Sequence, residues 1–324
     1  MNEKKTSLSD RAAVSVEVAS EKLSYYLNRV VKRPVRSAQV EKADMATFNA
    51  NLVVILSSPM GGGSMIARFG GNEVRACAEA IAVERGLNKR FSARTRKRMK
   101  QQAGFFPADT DSLMRFYGLM VESVKRLDWL GTWDSILQPY AIEHMGINPG
   151  TRFTSLGNLE PYYYPENPWS KELEGKRVLV IHPFAETIES QYRKRERLFP
   201  GTDILPEFEL VTLKAVQTIA GEVDDRFDDW FEALEWMEGR IAQTDFDVAI
   251  IGCGAYGFPL AAKVKDMGKV AIHLGGATQI LFGIKGARWD SNQKINRWYN
   301  EAWTRPRESD KPKNAAAVES ACYW

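Results

Sequence analysis

Cysteine and histidine are scarce in this chain, with three of each among 324 residues. Cys77, Cys253 and Cys322 lie far apart and form no C-x-x-C pair. A disulfide framework and a Cys/His zinc site of the usual spacing are thereby excluded. Charge of one sign is also lacking, since 44 Lys+Arg stand against 41 Asp+Glu for a net +3. A dedicated nucleic-acid binder carries a strongly basic domain, so nucleic acid is not an expected partner. Long apolar runs are missing too. Leu52–Leu56 and Val178–Ile181 fall far short of the roughly 18 residues of a spanning helix. Residues 1–11 are polar and lack the apolar stretch of a secretory signal. The expectation is a cytoplasmic protein with reduced thiols, in which short basic surfaces leave peripheral membrane contact open.

The order of apolar and breaker residues gives the layout. Val16, Leu23, Leu27 and Val30 fall at helical spacing before Pro34, which predicts a helix over 12–31. Residues 1–50 are read as an N-terminal helical appendage, 51–303 as the main domain and 304–324 as a polar tail. The aromatic residues closing that tail, Tyr323 and Trp324, are expected to dock on the body. Asn51–Leu56 reads as a short buried strand and Ser57–Gly63 as a glycine-rich loop. Met65–Phe69 is the next strand. A helix from Glu73 to Arg85 follows, capped by Gly71 or Asn72 and stopped by Gly86. Asp109–Arg126 is a further helix, and Trp129, Trp133 and residues 146–157 suggest an irregular connection. Pro161–Trp169 holds three prolines, too many for a helix or central strand, and is read as a loop over a pocket or between subdomains.

The second half is more regular. Strands are expected at Arg177–His182, Phe208–Lys214, Asp247–Gly252 and Lys269–Leu274. Helices are expected over 186–198, from a cap at Asp224 or Asp225 to Gln243, and over Pro259–Met267, closed by Gly268. Strand-helix-strand alternation predicts an α/β fold, a Rossmann-like, mostly parallel sheet flanked by helices.

Open α/β sheets bind ligands beyond the carboxyl ends of their strands, so the residues after each strand are the candidates. Gly252-Cys253-Gly254-Ala255-Tyr256-Gly257 matches G-x-G-x-x-G between a strand and a helix. Its amides can face an anion at a helix start, or its glycines can serve close helix–strand packing. The acid that grips a dinucleotide ribose is missing from the next strand end, where His273 stands, so NAD is not expected. Cys253 is read as a small packing residue. Gly61-Gly62-Gly63-Ser64 has no P-loop lysine. In Arg68-Phe69-Gly70-Gly71-Asn72-Glu73, Arg68 can hold a phosphate bidentately and Glu73 a divalent ion, or the two can form an ion pair. His182, followed by Pro183 and Phe184, and His273, followed by Leu274, Gly275 and Gly276, can titrate or contact phosphate near neutral pH. Residues 89–100 carry seven Lys/Arg and are read as a solvated helix face.

Met65–Glu73 and the stretch from Ile251 to Gly275 resemble the GT-D glycosyltransferase family. Met65–Glu73 is similar to its strand ending in R-[FY]-G-D-G-E. Ile251–Gly275 is similar to its later glycine turn, helix and strand ending in I-D-I-G-H. The resemblance implies a bacterial enzyme that moves a sugar from a nucleotide-diphosphate donor to a glycan or glycoconjugate acceptor in polysaccharide or glycoconjugate synthesis. Arg68, Gly70, Gly71, Asn72, Pro183, Phe184, Gly252, Gly254, Ala255, Tyr256, Gly257, Gly275 and Gly276 would surround the nucleotide. Glu73, His182 and His273 would be the catalytic candidates, with Glu73 also the metal candidate for manganese or magnesium. Two acids of the family pattern are replaced, at Gly71 and at His273. Either Glu73 works with another carboxylate such as Glu186 or Glu189, or arginine and histidine cations neutralise the diphosphate without a metal. A non-catalytic nucleotide or sugar-phosphate binding protein of the same fold is the alternative.

Overall fold

The computed structural model describes residues 41–324 apart from 59–60, 134–136 and 319. The helix expected over 12–31 lies outside the described residues. The strands are β1 (Lys42–Ala43), β2 (Ser64–Arg68), β3 (Trp129–Thr132), β4 (Arg152–Ser155), β5 (Arg177–His182), β6 (Glu209–Lys214), β7 (Val248–Ile251) and β8 (Val270–His273). They form one sheet in the order β1-β4-β3-β2-β8-β7-β5-β6, with every neighbouring pair parallel. The helices are α1 (Met45–Ser57), α2 (Gly71–Glu84), α3 (Ala93–Gln102), α4 (Thr110–Val124), α5 (Leu137–His144), α6 (Ala185–Tyr192), α7 (Arg195–Leu198), α8 (Trp230–Ala242), α9 (Gly257–Asp266), α10 (Ala277–Leu281) and α11 (Gln293–Asn296).

The expected α/β sheet is present, and its strands show why. Leu179 and Ile181 of β5, with Ala249 and Ile251 of β7, enter one core. Val178, Val180, Val248 and Ile250 enter the other. Strands buried on both faces read as unbroken apolar runs, which makes this half visible in the sequence. The four central strands β2, β8, β7 and β5 end at Arg68, His273, Ile251 and His182. The sheet thereby brings the candidate segments to one edge.

Several expectations are corrected. Asn51–Leu56 is not a strand but the second half of α1, which Asp44 caps by accepting from the Thr47 N–H (2.7 Å). The expected boundary after residue 50 therefore falls inside a helix. Trp129–Thr132 and Arg152–Ser155, read as irregular, are strands β3 and β4. The helix over 186–198 is two short helices, α6 and α7. The cap of α8 is Asp229, which accepts from Phe231 and Glu232 (2.8 and 2.9 Å), rather than Asp224 or Asp225. Pro161–Trp169 lines no part of the cavity at the strand ends. Tyr162 and Trp169 are fully buried, and the Trp169 indole donates to the Leu159 carbonyl (3.2 Å).

Candidate functional site

A cavity of 710 Å³ opens at the carboxyl ends of the central strands. Its lining holds Arg68, Gly70, Gly71, Asn72, Glu73, His182, Pro183, Phe184, Gly252, Gly254, Ala255, Tyr256, His273, Gly275 and Gly276. Of the residues expected around the nucleotide and the three catalytic candidates, only Gly257 is missing. It lies behind His273, where an added Cβ would overlap the imidazole Nε2.

The two histidines are neutral. His182 is 3% exposed and His273 is 5% exposed, and burial pushes each pKa down to about 3. At His273 the nearby Arg68 charge adds to this, while the Arg68 backbone opposes it. The reading that either histidine titrates near neutral pH is thus corrected. The Phe184 N–H donates to His182 Nδ1 (3.0 Å), so the neutral ring carries its proton on Nε2. His182 is then a hydrogen-bond donor on the cleft wall. His273 Nδ1 is buried without a partner.

Glu73 is only 9% exposed, and burial raises its pKa above the usual carboxylate range. The backbone of Glu73 itself, the Arg68 charge and the backbone of Asn72 oppose the rise, in that order. Its carboxylate therefore sits over the start of α2, where the Gly70 N-cap has no side chain to offer. An added Cβ at Gly70 would overlap that carboxylate. Glu73 thus takes the capping role expected of Gly71 or Asn72.

Each glycine of the G-x-G-x-x-G turn has a steric reason. Gly252 abuts the Gly275 carbonyl, Gly254 has φ +59°, and Gly257 backs onto His273. The amides of Gly252, Ala255 and Gly257 donate to the carbonyls of Ile181, Ala103 and Gly254. Those three are unavailable to an anion. Cys253 is buried, which pushes its thiol pKa up, in keeping with a packing residue.

The lining also contains residues that the sequence does not single out: Arg75, Arg98, Gln102, Trp133, Thr218 and Arg288. Arg98 belongs to the basic run, whose Arg94, Arg96, Lys97 and Lys100 are exposed as expected. Tyr323 and Trp324 form one wall, held by Gln279 Nε2 to the Tyr323 carbonyl and the Trp324 indole to the Asp310 carbonyl (both 3.1 Å).

A family model, the GT-D fold-like domain, matches residues 65–281. The chain belongs to the GT-D-like family. No curated protein and no solved structure matches it. The GT-D-like domain runs from β2 to α10 and includes the four strand ends that meet at the cavity.

In this GT-D-like chain the residues do not fit a divalent metal. Glu73 is the one acidic side chain in the described lining, and it is engaged as a cap. No group of three or more His, Cys, Asp or Glu among the described residues could hold a metal ion. Glu186 pairs with Lys214 (3.0 Å) and Arg307 (3.4 Å), and Glu189 accepts from Thr212. Neither lines the cavity. An added Cβ at Gly71, where the family pattern has its aspartate, would lie 2.9 Å from the Trp133 indole. That indole donates to the Phe69 carbonyl (3.1 Å). Gly71→Asp should therefore destabilise the fold by about 1–2 kcal/mol in urea denaturation, through crowding and loss of that bond. The penalty should shrink in a Trp133→Ala background, and an equal penalty in both backgrounds would refute the clash.

Proposed function

We propose that the protein is a glycosyltransferase that uses a nucleoside-diphosphate sugar, with a glycan or glycoconjugate as acceptor. The observation that carries this is the convergence of Arg68, His182, His273 and the Gly252–Tyr256 turn on one cavity within a GT-D-like domain. In the reaction, the bond from the anomeric carbon to the β-phosphoryl oxygen breaks and the diphosphate departs with its electron pair. An acceptor hydroxyl oxygen bonds to that carbon, and its proton passes to solvent. Arg68 reaches the cleft from the end of β2, tethered by one N–H to the Leu274 carbonyl (3.2 Å). Its remaining donors suit a phosphoryl group. His182 would donate from Nε2 to a phosphoryl oxygen. The aromatic wall of Phe184, Tyr323 and Trp324 suits a sugar ring or base.

The polysaccharide role and the cytoplasmic setting belong to the same reading. The buried thiols of Cys77 and Cys253 fit a reducing compartment. No helix of the described residues is long and apolar enough to cross a membrane.

Release of free nucleoside diphosphate from UDP- and GDP-linked sugars, with and without glycan acceptors, tests the proposal. Turnover is expected, and Arg68→Gln should weaken donor binding by about tenfold or more. The engagement of Glu73 as a cap favours a second reading, a nucleotide or sugar-phosphate binding protein. Binding without release across the acceptor panel would select that reading. Lack of binding to any nucleotide or sugar phosphate would remove both.

A further inference from the structure

Arginine side chains accumulate at the cavity. Arg68, Arg75 and Arg98 line it, and Glu73 is the one acidic side chain among the described lining residues. No described carboxylate lies within 4.0 Å of Arg68, Arg75 or Arg98. Arg75 and Arg98 stand on the packed helices α2 and α3 and repel each other. After burial, the charges of Arg98 and Arg94 are what disfavour the charged form of Arg75. The Arg75 Nε is buried and without a partner. Glu79, the acid whose charge acts on Arg75, is occupied elsewhere. It accepts from the Ser92 N–H (2.8 Å), the Ser92 hydroxyl (2.9 Å) and the Thr95 hydroxyl (2.6 Å).

Like charges held together, with an unused buried donor, cost stability unless an anion sits between them. A guanidinium fork matches a phosphoryl group in shape and charge. The neutral histidines add no charge, so the arginines are the cations available. Trp133 over Gly71 and the capped Glu73 leave no pair of carboxylates to bring a divalent ion.

We infer that Arg68, Arg75 and Arg98 bind the diphosphate of the donor directly, taking the place of a divalent metal. The inference rests on the donor reading above only for the nucleoside that the diphosphate carries. Arg75 and Arg98 are then phosphate-binding residues, and leaving-group charge is neutralised by guanidinium groups fixed on two helices.

Calorimetric titration of the full chain with UDP, GDP and inorganic pyrophosphate, in EDTA and then in manganese, tests this. A nucleoside diphosphate should bind in EDTA within about twofold of its affinity in manganese. Arg75→Gln and Arg98→Gln should each weaken binding by about tenfold, with unchanged melting temperature identifying variants that fold. Two sites are varied so that a folding failure at one leaves the other decisive. Binding only with manganese would overturn the inference and leave the donor reading intact. Pyrophosphate binding in EDTA that both variants weaken, without nucleotide binding, would uphold the arginine site and remove the nucleotide donor. No binding by any of the three would overturn both.

Discussion

Acidification from pH 7 to pH 5 is expected to cost this protein about 2 kcal/mol of stability for each of His182 and His273. Both imidazoles are held neutral in the fold, with pKa values pushed down to about 3 by burial. In the unfolded chain they titrate near 6.5. Above that value neither state binds the proton, and the full stability is present. As pH falls below it the unfolded state gains protons that the fold refuses. Stability is then lost progressively down to about pH 3, where the folded rings also titrate. Glu73 and Glu160 run the other way, because burial raises both carboxyl pKa values. The native state therefore takes up those two protons first as pH falls. Comparison of wild type with single variants separates the contributions. His182→Asn keeps an acceptor for the Phe184 N–H, and His273→Gln keeps a polar group near Gly257. Urea denaturation at the two pH values should show each variant losing about 2 kcal/mol less than wild type. Parallel losses in all three proteins would show that the folded imidazoles take up protons as readily as the unfolded ones. The chemical consequence is that His182 acts in the cleft as a donor and not as a cation.

How far the sequence reveals this arrangement depends on what buries each segment. The central strands β5, β7 and β8 are legible because both faces are covered, which leaves unbroken apolar runs bounded by glycine. The same rule misleads at Leu52–Leu56. There α1 buries Phe48, Leu52 and Leu56, but it leaves Val54 65% exposed. One exposed valine in a helix makes an amphipathic pattern look like a strand. β3 and β4 are four residues each, and Arg152 and Ser155 of β4 are exposed, so their signal is weak. The cap of α8 escapes the sequence because Asp224, Asp225, Asp228 and Asp229 are equally suitable by chemistry. Only the turn geometry selects Asp229.

The candidate site divides in the same way. Its strand-end positions follow from topology, so Arg68, His182, Gly252 and His273 can be named from the sequence. Trp133, Arg75 and Arg98 cannot. Trp133 follows a strand that the sequence hides, and the arginines meet only because α2 packs on α3. The basic run holds a weak signal for Arg98, since a helix with that many cations and no acids presents more charge than solubility requires.

Gly252→Ala is the substitution from which the largest combined loss of stability and binding is expected. The G-x-G-x-x-G motif suggests a phosphate turn, yet Gly252 is glycine for a different reason. A Cβ there would lie 2.5 Å from the Gly275 carbonyl, 2.5 Å from Thr278 Oγ1 and 2.8 Å from His182 Cδ2. The first of these is backbone, and the Leu274 and Gly275 N–H groups fix it by donating to the Ile251 carbonyl (3.0 and 3.1 Å). Gly275 itself has φ +58°, and a Cβ built on it would lie 3.1 Å from Arg68 Cδ, so a shift of this loop toward that side crowds the arginine. The methyl group therefore displaces His182 on one side and Arg68 on the other. Overpacking against fixed backbone costs on the order of 3 kcal/mol, and with both groups displaced the cleft should lose measurable nucleotide or pyrophosphate affinity. Gly239→Ala is the matched control, since nothing lies within 4 Å of its added Cβ in α8. It should gain about 0.5–1 kcal/mol from reduced backbone entropy in the unfolded chain. Urea denaturation of both variants, with titration of the ligand that wild type binds, reads the contrast. If Gly252→Ala keeps wild-type stability but loses the ligand, the turn serves binding through its backbone and the packing account is wrong. If it loses both together, the glycine serves first to let β7 and the loop after β8 meet, and the cleft depends on that contact.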